Sequence, residues 1–393
     1  MGKAWLSIIG LGEDGLEGLT GASRAALERA EVIFGGPRHL DLVAAGPRGC
    51  AWPVPFNTAP VLALRGRRVV VLASGDPFWH GAGGSLVRDL IPGEWQAFPG
   101  IPVFSHVAAY LGWQLEKTRC LALHAAPLSR LRAESQPGAR LIATLRDGAA
   151  VADLADWLVQ QGLGTAVVWV MEAMGGPAQR VRQVKAASYD LTDVGPLVAV
   201  ALAVPVAAPG LSVVPGRAEG IFAHDGQITK APVRAVTLAA LAPRPDHLLW
   251  DLGAGSGSVA VEWCLAGGRA VAVEARADRM INIHKNINSF GLAGRLLGVQ
   301  GRLPQAIEGL DRPDAVFVGG GFSAALLARL QVVAQGSRLV VNTVTLETEA
   351  LVSALQSQYG GTLMRMDFAH AEPLGSLRGW ATARPVVQWS VGL

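Results

Sequence analysis

Cysteine is scarce in this chain: Cys50, Cys120 and Cys264 are the three among 393 residues, odd in number and far apart. They make no CxxC pair and no metal-ligand spacing with the eight histidines. Neither a disulfide framework nor a structural zinc is therefore expected, and a reducing, cytoplasmic setting is. Charge is thin as well, at 17% of residues with a net of +3, and the basic residues are scattered. The local run Arg65, Arg67 and Arg68 reads as the solvated start of a strand rather than a patch for a polyanion, so no nucleic-acid partner is expected. A membrane partner is not expected either. Residues 194–216 lack charge but hold Pro196, Pro205, Pro209 and Pro215, which would break a spanning helix repeatedly. The opening stretch MGKAWLSIIGLGEDG is too short and too interrupted by glycine for a signal peptide. Tyrosines number three against eleven tryptophans. Trp157, Trp250 and Trp263 fall inside helix or strand patterns and read as core rather than as stacking platforms.

What is abundant is apolar surface. Half of the residues are hydrophobic, which predicts a folded chain, and 393 residues are too many for a single core. Apolar strand candidates alternate with amphipathic helix candidates, the pattern of an α/β protein. In the first part strands are expected near 4–10, 31–34, 69–73, 118–123, 140–143, 165–170 and 197–203, with helices at 20–30, 81–91, 105–112 and 149–161. The Pro-rich segment AVPVAAPGLSVVPGR (203–217) marks a boundary, giving domains over 1–205 and 218–393 joined by a linker at 206–217. After it, VRAVTLAALAP reads as a helix. Strands follow near 247–251, 269–273, 296–299, 314–318, 337–341, 361–368 and 384–391, with helices at 257–266, 278–290, 321–333 and 346–358. This order fits an open, doubly wound sheet with an antiparallel hairpin at its edge.

Two strand ends carry unlike polar clusters. In LLWDLGAGSGSVAVEW (248–263), Gly253, Gly255 and Gly257 allow a tight backbone turn at a helix start, and the next strand ends in Glu274, placed to accept ribose hydroxyls. The pattern is G-x-G-x-G behind Asp251, not the G-x-G-x-x-G of dinucleotide sites. An acidic residue there suits an ammonium-bearing tail better than a pyrophosphate, which favours S-adenosylmethionine (SAM) over NAD and places the segment with Rossmann-like class I SAM-dependent methyltransferases. DAVFVGGGFS, with Gly319 to Gly321, stands where amine methylases carry a proline-aromatic clamp. Three residues without side chains leave room for something broad and flat. The other cluster, VVVLASGDPFWHG (69–81), ends a buried strand in Ser-Gly-Asp-Pro.

Longer stretches carry a family resemblance. EGIFAHDGQITKAPVRAVTLAALAPRPDHLLWDLGAGSGSVAVEW resembles the decarboxylating precorrin methylases of cobalamin biosynthesis (T-type), a likeness covering about 217–393. It implies that Thr229 and Gln227 border the SAM site, that Gly253, Ala254, Gly255, Ser256 and Gly257 form its floor beside Asp251, that Glu274 holds the ribose, and that Leu303 lines the adenine near Gly319 and Gly320. IIGLGEDGLEGLT, AEVIFGGPRHL, LASGDPFWHGAGGSL and FPGIPVFSHVAAYLGW resemble the E-type branch of the tetrapyrrole methylase family, over about 1–205. That fold has two α/β subdomains with SAM folded up between them. The resemblance implies a second SAM site lined by Gly75, Asp76 and Pro77, with Ser105 and His106 beside it. Together the two halves resemble the fused, decarboxylating precorrin-6Y methylases. This implies methylation at C5 by the first domain, methylation at C15 with loss of the ring C acetate carboxyl by the second, and a homo-oligomer.

Catalytic candidates are few, because an electron-rich macrocycle carbon needs positioning more than a nucleophile. Lys230 is a candidate for gripping a substrate carboxylate, or else a surface lysine, and His224 for donating a proton, or else for capping its loop. Asp76, read as a buried carboxylate at a strand end, demands a partner. His80, Arg38 and His39 are candidate substrate contacts, the last two for a propionate or for a contact between subdomains. VMEAMGG (170–176) covers a cofactor edge or packs in the core. An NAD oxidoreductase, an RNA or protein methyltransferase and a non-catalytic tetrapyrrole scaffold are the rival readings.

Overall fold

Each apolar run read above as a strand is one in the computed structural model, which describes residues 4–393. Residues up to Leu128 with Glu134–Pro209 form one unit; Ser129–Ala133 with Gly210–Leu393 form the other. The division at Pro209 falls inside the Pro-rich segment.

The first unit holds two sheets. β1 (Leu6–Leu11), β2 (Val32–Gly35), β3 (Gly49–Ala51), β4 (Val69–Ser74) and β5 (Trp95–Phe98) pair in the order β3-β2-β4-β1-β5, every pair parallel. A parallel sheet is covered on both faces, which is why its central strands read as unbroken apolar runs. Ile9, Leu11, Val70 and Leu72 pack on one face, and Leu6, Ile8, Val69 and Val71 on the other. β6 (Thr118–Ala122), β7 (Arg140–Thr144), β8 (Val167–Glu172), β9 (Arg180–Lys185) and β10 (Val198–Ala203) form the second sheet, in the order β6-β7-β10-β8-β9, where β6 and β7 are parallel and the remaining pairs antiparallel.

The helix expected over 81–91 is much shorter, a turn of α-helix at Gly83–Leu86 followed by a 3-10 turn at Val87–Asp89. Glycines at 81, 83 and 84 weaken a helix, and a Cβ at Gly81 would lie 2.5 Å from the Pro77 carbonyl oxygen. Where β1, β4 and the loop after β5 end together, backbone meets backbone. A Cβ on Gly10 would lie 1.8 Å from the Gly75 carbonyl oxygen and 2.3 Å from the Gly100 nitrogen.

The second unit is one doubly wound sheet. β11 (Leu248–Leu252), β12 (Arg269–Glu274), β13 (Leu296–Gln300), β14 (Ala315–Val318) and β15 (Arg338–Thr343) are parallel, in the order β13-β12-β11-β14-β15. β16 (Thr362–Met366) and β19 (Val386–Gly392) extend it, β19 running antiparallel between β15 and β16. The sequence reading did not anticipate the ribbon of β17 (Ala369–Leu374) and β18 (Leu377–Thr382), joined by the Gly375–Ser376 turn, in which Leu374, Leu377 and Trp380 are 69%, 75% and 77% exposed. Trp250 and Trp263 are buried in the core as expected, and Trp157 is half-buried.

A polar triad, with Thr237 and Gln388 buried and Asn342 half-buried, fixes the helix Ala231–Leu241 to the antiparallel edge. The Thr237 hydroxyl oxygen accepts from Asn342 Nδ2 (2.8 Å) and Gln388 Nε2 (3.2 Å), and Gln388 Nε2 also donates to Asn342 Oδ1 (2.9 Å).

Candidate functional site

In the second unit the strand ends of β11, β12 and β14 bring the glycine loops together. Gly253, Gly255 and Gly257 have φ of +66°, +59° and +71°, and at Gly253 a Cβ would lie 2.4 Å from the Gly320 carbonyl oxygen. Each loop therefore sets the position of the other. Asp251 is 1% exposed. Its Oδ2 accepts the Ala260 amide at 3.0 Å, while Oδ1 has no hydrogen-bond partner among the described residues. Burial pushes its carboxyl up to about 7, against the pull of the Ala260 amide and with the Glu274 charge adding to the rise. Glu274 already holds backbone, accepting the Gly255 amide at Oε2 (2.9 Å) and the Arg276 amide at Oε1 (3.0 Å). Ser256 Oγ is buried without a partner, and Leu303 lies against the 319–321 loop, 3.8 Å from a Cβ on Gly321. An orphaned acidic oxygen behind the glycine loop fits the ammonium of SAM, and a carboxylate with spare lone pairs at the next strand end fits a ribose.

Four residues that the sequence reading missed hold the segment 216–230 over this loop. Asn286, 1% exposed in the helix Ala277–Ser289, accepts the Ala223 amide (2.8 Å) and donates to the carbonyls of Ala223 (3.0 Å) and Ser256 (2.9 Å). Arg279 pairs with Asp225 (3.0 Å) and donates to the Gln227 side chain. Arg234, fully buried, donates to the carbonyls of Thr229 and Arg217 and to Glu262 (3.0 Å), which also accepts the Gly216 and Arg217 amides. The Gln227 carbonyl thereby comes to 3.9 Å from a Cβ on Gly255. His224 caps its own turn, with Nδ1 accepting the Gly226 amide at 2.9 Å; Lys230 is exposed at the start of the helix Ala231–Leu241, and Thr229 is half-buried. One signal was legible: Asn286 falls on the apolar stripe of Met280, Ile283 and Ile287, where a polar side chain needs partners.

In the first unit a cavity of about 510 Å³ is lined from both sheets. Gly75, His80, His106, Arg38 and His39 line it, and Met171 and Met174 contribute to its wall while also packing in the core. The structure corrects the reading of Asp76. It is half-buried, its Oδ1 accepts the amide of Phe78 two residues on (2.8 Å), and neither it nor Pro77 nor Ser105 is among the lining residues. A short polar side chain can satisfy itself in its own turn, so its presence at a strand end does not require a distant partner. Pro102 and Val103 do line the cavity, Trp79 stacks on Phe104 at 5.2 Å, and His80 adopts a φ of +60°. Glu13, Arg38, His39 and Ser74 form a hydrogen-bonded group in the same wall. Among the described residues no group of three or more His, Cys, Asp or Glu could hold a metal, and no helix is long and apolar enough to cross a membrane.

Comparisons with known proteins match two parts of the chain separately. A family model described as tetrapyrrole (corrin/porphyrin) methylases matches residues 6–190, and one described as a precorrin methyltransferase domain matches residues 220–392. A precorrin-6Y C(5,15)-methyltransferase [decarboxylating] of Sinorhizobium sp is 42% identical over 98% of this chain and 96% of its own. The protein of that name from Mycobacterium tuberculosis (strain CDC 1551 / Oshkosh) is 38% identical over 98% of each. A crystal structure of the C-terminal domain of precorrin-6Y C5,15-methyltransferase from Rhodobacter capsulatus is 59% identical and covers 46% of this chain and 99% of its own, with a TM-score of 0.45.

Proposed function

The chain belongs to the family of decarboxylating precorrin-6Y C5,15-methyltransferases, and on that footing we propose that it methylates precorrin-6Y at C5 and C15 and removes the ring C acetate carboxyl, giving precorrin-8. The first unit handles C5, and the second handles C15 and the decarboxylation. Each has its own SAM site. The observation that carries this reading is that each unit brings glycines together at its strand ends. In the second unit they lie beside the orphaned Asp251 carboxylate oxygen, and in the first Gly75 lines the cavity.

SAM supplies an electrophilic methyl group, and the macrocycle supplies the carbon that takes it. The protein's part is then alignment and exclusion of water, which in favourable cases lowers a barrier by about 7–11 kcal/mol. In the second unit Asp251 faces the ammonium, Glu274 takes the ribose hydroxyls on lone pairs left by its two amides, and Leu303 with Gly319 and Gly320 flanks the adenine. Gln227 and Thr229, held by Arg279 and Arg234, close the site. Lys230 is exposed and free to meet a substrate carboxylate, and His224, whose Nδ1 accepts in its turn, carries its ring proton on Nε2 and can donate a hydrogen bond from there. In the first unit Gly75 and His106 face the methyl donor, with Asp76, Pro77 and Ser105 behind them. The enzyme works in the cytoplasm as a homo-oligomer on a small-molecule substrate, without a nucleic-acid or membrane partner.

Calorimetric titration of the full chain with SAM tests the two-site reading. Two equivalents per chain are expected, falling to one in Glu274→Ala, which should keep C5 methylation and lose C15 methylation. Uptake of a single equivalent by the unaltered chain would overturn it.

A further inference from the structure

The wall of the first unit's cavity holds a polar group that methyl transfer alone does not require. Arg38 is gripped at both ends of its guanidinium: Nη1 pairs with Glu13, and Nη2 donates to Ser74 Oγ (3.1 Å) and to His39 Nε2 (2.9 Å). His39 Nε2 also lies 2.9 Å from Ser74 Oγ. A guanidinium has no lone pair to offer, so the imidazole nitrogen facing it must accept. That places the ring proton on Nδ1 and makes His39 neutral. Burial, and then the Arg38 charge, lower the His39 pKa to about 4, in keeping with that tautomer. Glu13 is itself fixed from the second sheet's side, since a Cβ on Gly176 would lie 2.5 Å from the Glu13 Cβ.

A guanidinium in a largely apolar wall is suited to one ligand chemistry, a carboxylate taken by charge-assisted N–H donors. Arg38 retains two donors, Nε–H and the second N–H of Nη1, which point to different sides of the guanidinium and can each donate to a carboxylate oxygen. A neutral imidazole and a hydroxyl orient the guanidinium without adding a second negative charge that would repel the incoming anion. We propose that Arg38 anchors a carboxylate side chain of the tetrapyrrole in the first unit, and that His39 and Ser74 are positioning residues that hold its guanidinium toward the cavity. This rests on the assignment of C5 methylation to that unit.

The test uses the full chain, precorrin-6Y and SAM, and follows C5 methylation, C15 methylation and carbon dioxide release separately. Arg38→Gln should raise the KM for the tetrapyrrole in C5 methylation about 10- to 100-fold, with SAM affinity and both second-unit reactions unchanged. Arg38→Lys keeps the charge but not the guanidinium, and should recover only part of that loss. His39→Leu should behave like Arg38→Gln, and His39→Gln, which restores an acceptor, should stay within about threefold of the original. A tetrapyrrole KM unmoved in both Arg38 variants, with lowered thermal stability alone, would make the group a structural ion pair and overturn the proposal. So would a loss confined to SAM affinity. If the unaltered chain methylates C15 and never C5, the assignment of the first unit fails instead.

Discussion

Asp251 has one oxygen bonded and one bare, in a place water does not reach. Its carboxyl rises from an ordinary 3.8 to about 7 on folding, so the folded chain binds a proton more tightly than the unfolded chain between those values. The stability this contributes is fully present below pH 3.8 and is lost as pH rises through 7. Asp251→Asn has no such titration. Denaturant unfolding should show that the variant gains on the unaltered chain by about 4 kcal/mol at most between pH 4 and pH 8, while calorimetry shows its second-unit SAM site weakened. A variant whose relative stability did not change with pH would mean that Asp251 is not the titrating group. The same residue shows what a single position reveals in a sequence. Asp251 and the glycines are near neighbours in a strand–turn–helix motif and Glu274 ends the next strand, so their grouping was legible. The bare oxygen was not, because it depends on the burial of everything around it.

At the level of elements, the segment 216–230 has no sheet or long helix of its own to order it, and side chains from three helices hold it instead. Asn286 bonds to Ala223 across 63 positions and to Ser256 across 30, so it couples the covering segment to the glycine loop. Asn286→Ala leaves a buried amide and two carbonyls unsatisfied. The expected cost is about 2–4 kcal/mol in unfolding free energy, with the SAM KM for C15 methylation raised about tenfold and C5 methylation untouched. An unchanged KM would show that the segment is ordered without this tie. Distance along the chain explains why such ties escaped the reading. Periodicity reports which face of an element is buried, not which remote residue it meets. Elements with strong apolar patterns were found, including the five parallel strands of the second unit and β1, β2 and β4 of the first. β3 and β5 are short, β9 is a charged edge strand reading Arg-Val-Arg-Gln-Val-Lys, and all three were missed. The over-long helix at 81–91 came from weighing its apolar residues above its glycines.

For the whole molecule, the two methyl-donor sites proposed above would sit in units with separate cores. Damage to one core should therefore leave the other unit's chemistry intact. Gly10→Ala supplies a specific lesion, because its Cβ would lie 1.8 Å from the Gly75 carbonyl oxygen and the surrounding backbone has no slack. The expected product by mass spectrometry is methylated at C15 and decarboxylated but not methylated at C5. Loss of both methylations in a soluble variant would mean that the units depend on each other. The division into two α/β parts was legible from the Pro-rich segment and from the change in glycine pattern. The cavity of the first unit was not, since its walls come from strand ends more than a hundred positions apart, Gly75 on one side and Val198 on the other.

The ribbon of β17 and β18 stands outside all of this. A two-stranded ribbon gains little from apolar burial in water, and here its large side chains lie open. Exchanging Trp380 for a polar residue would therefore cost the fold almost nothing. Leu374, Leu377 and Trp380 thus give the ribbon an apolar surface to which the fold owes none of its stability.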